Sequence, residues 1–370
     1  MTPTLRADDV CAVASDIVGE PVRTGAWQVE EVAYESGSPA TGGLYRVRGI
    51  TASGQPWSVF VKLLQHVRHW PRLHLLPPDM RQSFADWFPW RQEMAAWHES
   101  FAGRLPAGMR LPVLYRVTDL GDDRLLLWME DINALDGGWD LARFAQAAQA
   151  LGGLAALRSA PEVVQGTGYP AGWGLRGYAD GRVSLGALPL LADDDLWRNP
   201  LLADTVDSSL RADLRRLAGR LPAILDQLDN LPQAVPHGDA SPQNLLVPAD
   251  APWELVAIDI SFQCPLAIGF DLGQLLIGLV HSGQMASADL ADVHDVLVES
   301  FAAGMKEYGV EASPEDVEYG YVGSLVVRAG FTSLPFELLD APPSAKLVEM
   351  FHERAALTRF IADLGVSLSA

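Results

Sequence analysis

HGDASPQN, residues 237–244, places an aspartate five positions before an asparagine, in a turn that follows a proline and precedes an apolar run. The spacing lets the chain turn so that Asp239 and Asn244 face one point. The aspartate can then accept a hydrogen bond from a substrate hydroxyl, and the asparagine can bind a metal ion that bridges phosphate oxygens. The alternative is that Asp239 is a turn residue and Asn244 a loop cap, because both residue types are common in turns.

A metal site of this kind needs a second oxygen ligand. Asp259 ends the apolar run LVAID (255–259), and a hairpin of this run with NLLV (244–247) would bring it back beside Asn244. Mg²⁺ prefers oxygen ligands and usually takes one or two protein carboxylates together with substrate phosphates. A base, a metal-binding asparagine and a metal-binding aspartate form the group that phosphoryl transfer needs.

A cation for the phosphates is also required, and Lys62 is the only lysine among residues 1–131. It lies within the apolar strand pattern WSVFVKLL (57–64), where an inward-pointing lysine needs a partner. A helix predicted from about Trp90 to Phe101 offers Glu93, with Glu99 as the alternative. Taken singly, Lys62 could instead face solvent on an edge strand, and Glu93 could lie on a helix surface.

The order of the patterns predicts two regions of different character. Residues 1–131 combine one helix (5–19) with five strands, and form an α+β unit with an aromatic insert at about 66–90; the strands are 29–35, 43–49, 57–64, 112–117 and 124–130. Helical patterns dominate residues 132–370: a helix at 141–158, a Gly-rich connection at 166–190, a helical region at 193–230 broken near Pro200 and Pro222, and helices from Leu272 onward, one of them capped by Ser313.

Charge and cysteine content narrow the classes of function. The net charge is −20, of which residues 132–370 carry −17. Nucleic acid is therefore a poor partner, because phosphate binding needs a basic face. The acidic half favours a cationic small ligand, or alternatively serves only solubility. Two distant cysteines, no signal pattern and no clean membrane span predict a cytoplasmic protein.

HGDASPQN matches the H-G-D-x4-N catalytic loop of the aminoglycoside phosphotransferase and choline kinase family, and IDISFQCPLAIGFDLGQLL (258–276) resembles the segment that follows it. The resemblance implies a bilobal, protein-kinase-like fold with a small antiparallel N-lobe and a mostly helical C-lobe. It implies Asp239 as catalytic base, Asn244 and Asp259 as Mg²⁺ ligands, and Asp271 and His237 as structural residues of the loop. It also implies Lys62 as the phosphate-binding lysine and Glu93 as its partner.

The same resemblance implies ATP as the phosphoryl donor. Backbone groups near Glu130 and Ile132, in WMEDI (128–132), would read the adenine. SGSPATGG (36–43), which includes Ser38, departs from the glycine-rich G-x-G-x-x-G pattern, but its backbone N–H groups could still wrap a phosphate. The rival interpretation is a nucleotide-binding or regulatory protein that keeps the fold without catalysing transfer.

The acceptor expected from the resemblance is a hydroxyl of a small, cationic molecule: an aminoglycoside or other antibiotic, which would confer resistance, an amino sugar or an amino alcohol. The end of the chain, VSLSA, lacks the acidic, aromatic C-terminus of aminoglycoside-modifying members. Asp193, Asp194 and Asp195 could pair with an acceptor amine or cap a helix. The insert's tryptophans and histidines could line the acceptor pocket, or pack the insert onto its own lobe or a second subunit; a metal site at His66, His69 and His74 is a further alternative.

Overall fold

The computed structural model describes residues 5–22, 27–33, 38–135, 137–342 and 344–368, without the side chains of residues 99 and 100. The chain divides into two compact units, Met1–Phe101 with Leu111–Ala134 and Ala102–Arg110 with Leu135–Ala370. The sequence placed a single boundary after Asp131. The short segment before Leu111 goes with the second unit because Met109–Arg110 pair in parallel with strand Leu255–Ala257.

A five-stranded antiparallel sheet forms the centre of the first unit. Its strands lie in the order Trp27–Glu31, Thr41–Ile50, Pro56–Gln65, Arg124–Glu130 and Leu114–Gly121. Side chains alternate between the two faces of a strand. Val59 and Val61 therefore join one buried cluster, while Leu64 joins a second cluster on the other face. Lys62 belongs to a central strand, and the edge-strand alternative is wrong.

The helix predicted near the N-terminus covers one face of this sheet. It spans Ala7–Val18, and Gly19 ends it with a left-handed backbone (φ 75°). Val10 and Val13 are buried in the cluster that contains Val59, Val61 and Trp128. The amphipathic spacing in the sequence thus corresponds to a helix whose apolar side packs on the sheet.

The aromatic insert is built from short helical pieces: 3₁₀ turns at Val67–His69 and Leu73–Leu75, and an α-helix at Pro78–Trp87. Phe84 contacts both Trp70 and Phe88, and Trp90 packs against the sheet cluster that contains Leu64. Trp70, Phe88 and Trp90 therefore pack within the first unit, whereas Trp87 is 45% exposed. Among the described residues, no group of three His, Cys, Asp or Glu side chains could hold a metal ion.

The expected continuous helix from Trp90 to Phe101 is wrong. A 3₁₀ helix spans Gln92–Trp97, His98 has an extended backbone, and a one-turn α-helix follows at Glu99–Ala102. The Trp97 indole nitrogen donates to the Pro112 carbonyl at 3.0 Å, and its ring packs against the sheet. This docking holds the segment in the tighter 3₁₀ winding that is typical of short connectors.

Helices make up most of the second unit. The α-helices span Leu141–Leu157, Pro161–Gly166, Trp173–Tyr178, Leu188–Ala192, Pro200–Ala203, Ser208–Asn230, Leu272–His281, Leu290–Glu307, Pro314–Leu325 and Ala345–Ser367. Short 3₁₀ turns lie at Leu196–Arg198, Pro242–Asn244, Ser287–Asp289 and Phe336–Leu338. Two π-helical segments, Ala179–Ala187 and Val326–Gly330, complete the set. The architecture is α+β: a small antiparallel unit and a mostly helical one.

Two helix predictions in this unit need correction. Pro222 does not break its helix, which runs without interruption over Ser208–Asn230. Its buried stripe of seven aliphatic side chains, from Leu210 to Leu228, continues on both sides of the proline, and this packing outweighs the loss of one backbone hydrogen bond. The expected Gly-rich connection at 166–190 is mostly helical, because Trp173–Tyr178 runs directly into the π-helical segment.

The helix cap predicted at Ser313 is confirmed. Ser313 caps helix Pro314–Leu325, its hydroxyl accepting from the Asp316 amide at 3.1 Å. Cys11 and Cys264 are free thiols. Within the described ranges, no helix combines the length and the apolar character needed to cross a membrane.

Candidate active site

The loop at 237–244 begins with a turn that only glycine can make. Gly238 has a φ of +92°, and a Cβ atom there would lie 2.0 Å from the Ser261 carbonyl oxygen. Ser261 in turn donates its amide to the His237 carbonyl at 2.9 Å. The two chain segments thus lie in direct backbone contact, which a side chain at position 238 would prevent.

Asp271 fixes this turn from the start of helix Leu272–His281. One carboxylate oxygen accepts from the His237 amide at 2.9 Å and the other from the Gly238 amide at 2.8 Å. Burial raises the pKa of the Asp271 carboxyl to about 6, and the two amide donors act in the opposite direction. Asp271 therefore lies where the resemblance implies a structural acid.

Asn244 connects the two ends of the loop. Its side-chain nitrogen donates to the Asp239 carbonyl at 2.9 Å and to the Asp239 carboxylate at 3.2 Å. The 3₁₀ turn Pro242–Asn244 provides the reversal, with the Asn244 amide donating to the Ser241 carbonyl. The five-residue spacing thus brings the two side chains together, and the amide orientation leaves the Asn244 side-chain oxygen directed away from Asp239.

Asp259 returns to the same place through the expected hairpin. Leu245–Leu246 pair antiparallel with Leu255–Ala257, and the Ile258 amide donates to the Asn244 carbonyl at 3.0 Å. Asp259 itself has a left-handed backbone (φ 55°), a costly conformation that is frequent at functional sites. Burial raises the pKa of Asp239, and the charge of Asp259 adds to this shift; burial lowers the pKa of His237, and the charge of Asp259 opposes it.

The donor set fits Mg²⁺. Asn244 and Asp259 offer an amide oxygen and a carboxylate, both of the hard oxygen type that this ion prefers. Burial is the main cause that raises the pKa of Asp239, and the charge of Asp259 adds to it. Because two carboxylates bring negative charge to this place, a divalent cation is favourable there.

His237 is a structural residue of the loop. Its ring is fully buried, and Nδ1 accepts from the Asp239 amide at 3.3 Å. Burial lowers the pKa of His237 to about 4, so the ring is neutral at physiological pH. A neutral, buried imidazole that accepts a backbone hydrogen bond supports the loop and is not placed to shuttle protons with solvent.

Two arginines at the loop were not found from the sequence. Buried Arg158 donates to the Pro236 carbonyl at 3.2 Å and to the Gln263 side chain at 2.8 Å. Arg328 donates to the Gly238 carbonyl and contacts Asp239. Both come from helical segments far from the motif in sequence. Arg158 ends a strongly apolar helix, and that position is the one signal by which it could have been found.

In the first unit, Lys62 forms the ion pair expected with Glu93. The Lys62 Nζ atom lies 2.7 Å from the Glu93 carboxylate, and the two side chains are only 7% and 12% exposed. The alternative of a surface Glu93 is therefore wrong. Glu99, the other possible partner, has a side chain outside the described part of the structure.

The other residues expected to contact the nucleotide also lie in the first unit. The Ser38 hydroxyl accepts from the Ala40 amide at 3.3 Å in a tight turn; residues 36 and 37 of the same stretch are outside the described ranges. Glu130 exchanges hydrogen bonds with Val113 through its amide and its carboxylate. The Ile132 carbonyl accepts from Ala134. Asp131 lies between them, and both of its carboxylate oxygens accept from the Arg46 Nε atom, at 2.8 and 3.0 Å.

The fold is that of an aminoglycoside phosphotransferase. The crystal structure of such an enzyme from Alicyclobacillus acidocaldarius subsp. acidocaldarius DSM 446 matches with a TM-score of 0.50 and 15% identity, over 100% of this chain and 96% of that chain. Spectinomycin phosphotransferase in complex with ADP and spectinomycin matches with a TM-score of 0.47 and 12% identity, over 99% of both chains. The phosphotransferase APH(3'')-Id from Streptomyces rimosus ATCC10970, with ADP and streptomycin, gives 0.42 and 16%, over 76% and 90%.

No protein-family model matches the sequence, and comparison with curated proteins finds no match either. At such low identity the structural similarity shows the fold alone. The chemistry must therefore be argued from the residues that the aminoglycoside phosphotransferase fold brings together in this chain.

The three aspartates considered for acceptor binding are engaged in local contacts. Asp194 pairs with Arg211 at 2.9 Å and Arg215 at 2.8 Å, and Asp195 pairs with Arg198. Asp193 accepts from the Asp195 amide at 2.9 Å. None of the three side chains makes a cap hydrogen bond to the 3₁₀ helix that follows, so the helix-cap alternative is wrong, whereas a role in acceptor binding stays a prediction.

Proposed function

We propose that this protein is an ATP- and Mg²⁺-dependent phosphotransferase that moves the γ-phosphoryl group to a hydroxyl of a small molecule. The observation that carries the proposal is the loop at 237–244, in which Asp271 fixes the turn and Asn244 contacts the Asp239 carboxylate. A buried acid that orders two backbone amides holds the neighbouring aspartate in a defined position, as a positioned base requires.

Asp239 is the proposed base. It accepts the proton of the acceptor hydroxyl while the hydroxyl oxygen forms a bond to the γ-phosphorus. The bond between that phosphorus and the bridging oxygen breaks, and ADP leaves with the electron pair. Its side chain is 35% exposed, which gives a substrate hydroxyl access to the carboxylate.

Asn244 and Asp259 are the proposed Mg²⁺ ligands. When bound, the ion would neutralise charge on the phosphate oxygens. The residues of the chain supply the oxygen donors and their orientation: Asn244 is oriented by its hydrogen bonds to Asp239, and Asp259 by the hairpin that ends at Ala257.

The first unit is the proposed nucleotide-binding lobe and the second the lobe that holds the catalytic loop and acceptor. Lys62, oriented by Glu93, would pair with the nucleotide phosphates. Backbone groups of the turn at Ser38 would contact a phosphate, and backbone groups at Glu130 and Ile132 would read the adenine. The buried Lys62–Glu93 contact supports this assignment, because a cation aimed by a buried carboxylate is a recurrent part of kinase sites.

A small acceptor that carries positive charge is the proposed substrate class: an aminoglycoside or other antibiotic, an amino sugar or an amino alcohol. The net charge of −17 on residues 132–370 favours such a molecule through long-range attraction. The structures of similar fold include complexes with spectinomycin, streptomycin and hygromycin B, and their nucleotides are ADP, AMP and AMP-PNP.

The test is phosphoryl transfer from Mg-ATP to a panel of aminoglycosides, peptide antibiotics, amino sugars, choline and homoserine, followed by mass. We expect one product with an added phosphoryl group, and Asp239→Asn should lower its rate about 10²–10⁴-fold, the usual contribution of a general base. Asp226→Asn, at an exposed aspartate paired with Arg176, is the matched control and should retain the parent rate.

Parent-like turnover in Asp239→Asn would overturn the assignment of the base. Mg-ATP binding without any transfer or hydrolysis would favour the non-catalytic nucleotide-binding protein instead. If Mg-ATP does not bind at all, the proposed function itself is wrong.

A further inference from the structure

Arg328 reaches the catalytic loop from a distant part of the chain. Its Nη1 atom donates to the Gly238 carbonyl at 2.9 Å, and its Nη2 atom lies 3.4 Å from the Asp239 carboxylate. The two residues are 89 positions apart. The proposed roles of the loop residues do not include this guanidinium, although it contacts the proposed base.

The surroundings of Arg328 restrict its side chain. The guanidinium carbon lies 5.0 Å from the centre of the Phe262 ring and 5.4 Å from that of Phe270, within cation–π distance of both. The side chain is 13% exposed. Phe262 follows Asp259 closely in the sequence, and Phe270 directly precedes Asp271. The aromatic platform is therefore built from the same stretch of chain as the site.

The backbone of Arg328 is held as well. Its carbonyl accepts from the Tyr178 hydroxyl at 2.9 Å and from the Thr332 hydroxyl at 2.8 Å. It lies in the π-helical segment Val326–Gly330, and such short π-helical turns occur frequently at functional sites. Backbone and guanidinium are thus fixed independently, which is what a residue needs if it is to fix another.

The two oxygens of Asp239 have different partners. Oδ2 accepts from Asn244, a neighbour within the loop, whereas Oδ1 faces Arg328. Two donors on opposite oxygens define the plane of a carboxylate, and one donor alone leaves it free to rotate. A base must be presented to the hydroxyl in one orientation, since a small misplacement of a catalytic group lowers the rate about 10²-fold.

We propose that Arg328 is a positioning residue that orients the Asp239 carboxylate for proton acceptance. The proposal rests on the proposed function, because it takes Asp239 as the base. The competing role is purely structural: Arg328 would hold the loop only through the Gly238 carbonyl and the aromatic rings.

The first experiment measures turnover with the acceptor identified from the panel. Arg328→Met should lower kcat about 10²-fold and leave the KM for Mg-ATP unchanged, since Arg328 acts through the base. Arg328→Lys should recover part of the lost kcat, because an ammonium can still face Asp239 although it cannot reproduce the stacked fork. A lysine can also donate to the Gly238 carbonyl, so the orientation of the Asp239 carboxylate, and not the rescue, separates positioning from support of the loop.

Arg354→Met is the matched control. This guanidinium also belongs to the second unit and donates to a backbone carbonyl, that of His281, at 2.8 Å. The substitution removes the same charge and the same side chain without touching the loop, so it should leave kcat near that of the parent. A comparable fall in both variants would overturn the proposal, as would a kcat of Arg328→Met within twofold of the parent.

The second experiment needs no turnover. Crystal structures of the parent, Arg328→Met and Arg328→Lys should show the Asp239 carboxylate rotated in the methionine variant only. An unchanged rotamer in Arg328→Met overturns the positioning role even if the protein phosphorylates nothing. A rotated one supports the role even then, so failure of the proposed function and failure of this inference can be told apart.

Discussion

The two units hold a buried charged group in opposite ways. In the second unit, the Asp271 carboxylate is satisfied by two backbone amides that lie next to each other in the motif. In the first unit, the Lys62 ammonium is paired with the Glu93 carboxylate, which comes from a separate segment beyond the aromatic insert. One arrangement uses two adjacent main-chain donors of a single turn, and the other joins two side chains across 31 positions.

This difference explains why the sequence predicts the geometry of the loop at 237–244 more fully than that of the Lys62–Glu93 pair. Backbone donors follow from a turn, and a turn follows from a few neighbouring residues, so HGDASPQN specifies most of its own geometry. A side-chain pair depends on how an insert folds between its members. The comparison predicts that the loop is the more costly of the two to disturb.

Asp271→Asn is expected to have the largest effect on stability. The substitution replaces one accepting oxygen by an NH₂ group that faces a backbone N–H, and it removes the charge that favours the other bond. Hydrogen bonds to charged groups contribute about 1.5–3 kcal/mol each, so we expect a loss of about 3 kcal/mol in the free energy of unfolding. Urea unfolding of parent and variant measures it.

Asp226→Asn is the control for this substitution. Like Asp271, Asp226 is an aspartate that accepts hydrogen bonds, in its case from the Arg176 guanidinium, but its side chain is 71% exposed. Exposed ion pairs contribute about 1 kcal/mol at most, so this variant should unfold close to the parent. Equal losses in the two variants would mean that Asp271 is not the support of the loop that its contacts indicate.

Glu93→Gln tests the other side of the comparison. It removes the carboxylate 2.7 Å from Lys62 while keeping the size of the side chain. We expect a smaller loss of stability, about 2 kcal/mol, because one charged contact is weakened instead of two. Mg-ATP should also bind about tenfold more weakly, a change of about 1.4 kcal/mol, because the lysine is no longer aimed. Urea unfolding and calorimetric titration measure the two effects.

Glu30→Gln serves as its control in the same sheet. Glu30 pairs with Arg48 at 3.1 Å, and both side chains are 58% exposed. This variant should change the free energy of unfolding by less than about 0.5 kcal/mol and leave Mg-ATP binding unchanged. A larger loss of stability in Glu93→Gln than in Asp271→Asn would reverse the comparison.

Local sequence patterns predicted the structural features that depend on residues close together along the chain. The hairpin that returns Asp259, the Ser313 cap and the helix that begins at Leu141 all follow from short-range spacing, and all three are present. In these places local preference and tertiary structure agree, so the sequence is sufficient.

The features of the fold and the site that the sequence did not predict depend on tertiary packing. The helix expected at 90–101 is replaced by a 3₁₀ turn because Trp97 docks on the sheet, and Pro222 is tolerated because the helix around it is buried. Arg158 and Arg328 reach the loop from helices whose positions no local pattern fixes. Contacts between distant elements can be predicted only when the packing of the whole unit is known.

His281 provides the test with the smallest expected effect. In the described part of the chain, no hydrogen bond or opposite charge offsets the effect of burial on its pKa. At Asp271, burial and hydrogen-bond donors act in opposite directions on the pKa. At His281, burial lowers the pKa to about 3, and the charges of Arg354 and Arg328 act in the same direction. The unfolded chain therefore binds more protons than the folded chain below pH 6.5, and stability must fall as the pH drops through that range.

The ordinary pKa of histidine in the unfolded chain, about 6.5, limits the size of this loss of stability. Its contribution is fully present above pH 6.5, and at pH 5 the loss cannot exceed about 2 kcal/mol. His281→Gln should therefore reduce the difference in urea midpoint between pH 7.5 and pH 5, whereas His352→Gln, at an exposed ring on the last helix, should leave it as in the parent. If both variants keep the parent's pH dependence, acid sensitivity does not come from His281, and the carboxylates around the loop become its source. Because burial and the charges of Arg354 and Arg328 all lower the pKa of His281, its ring is neutral in the folded chain at both of these pH values.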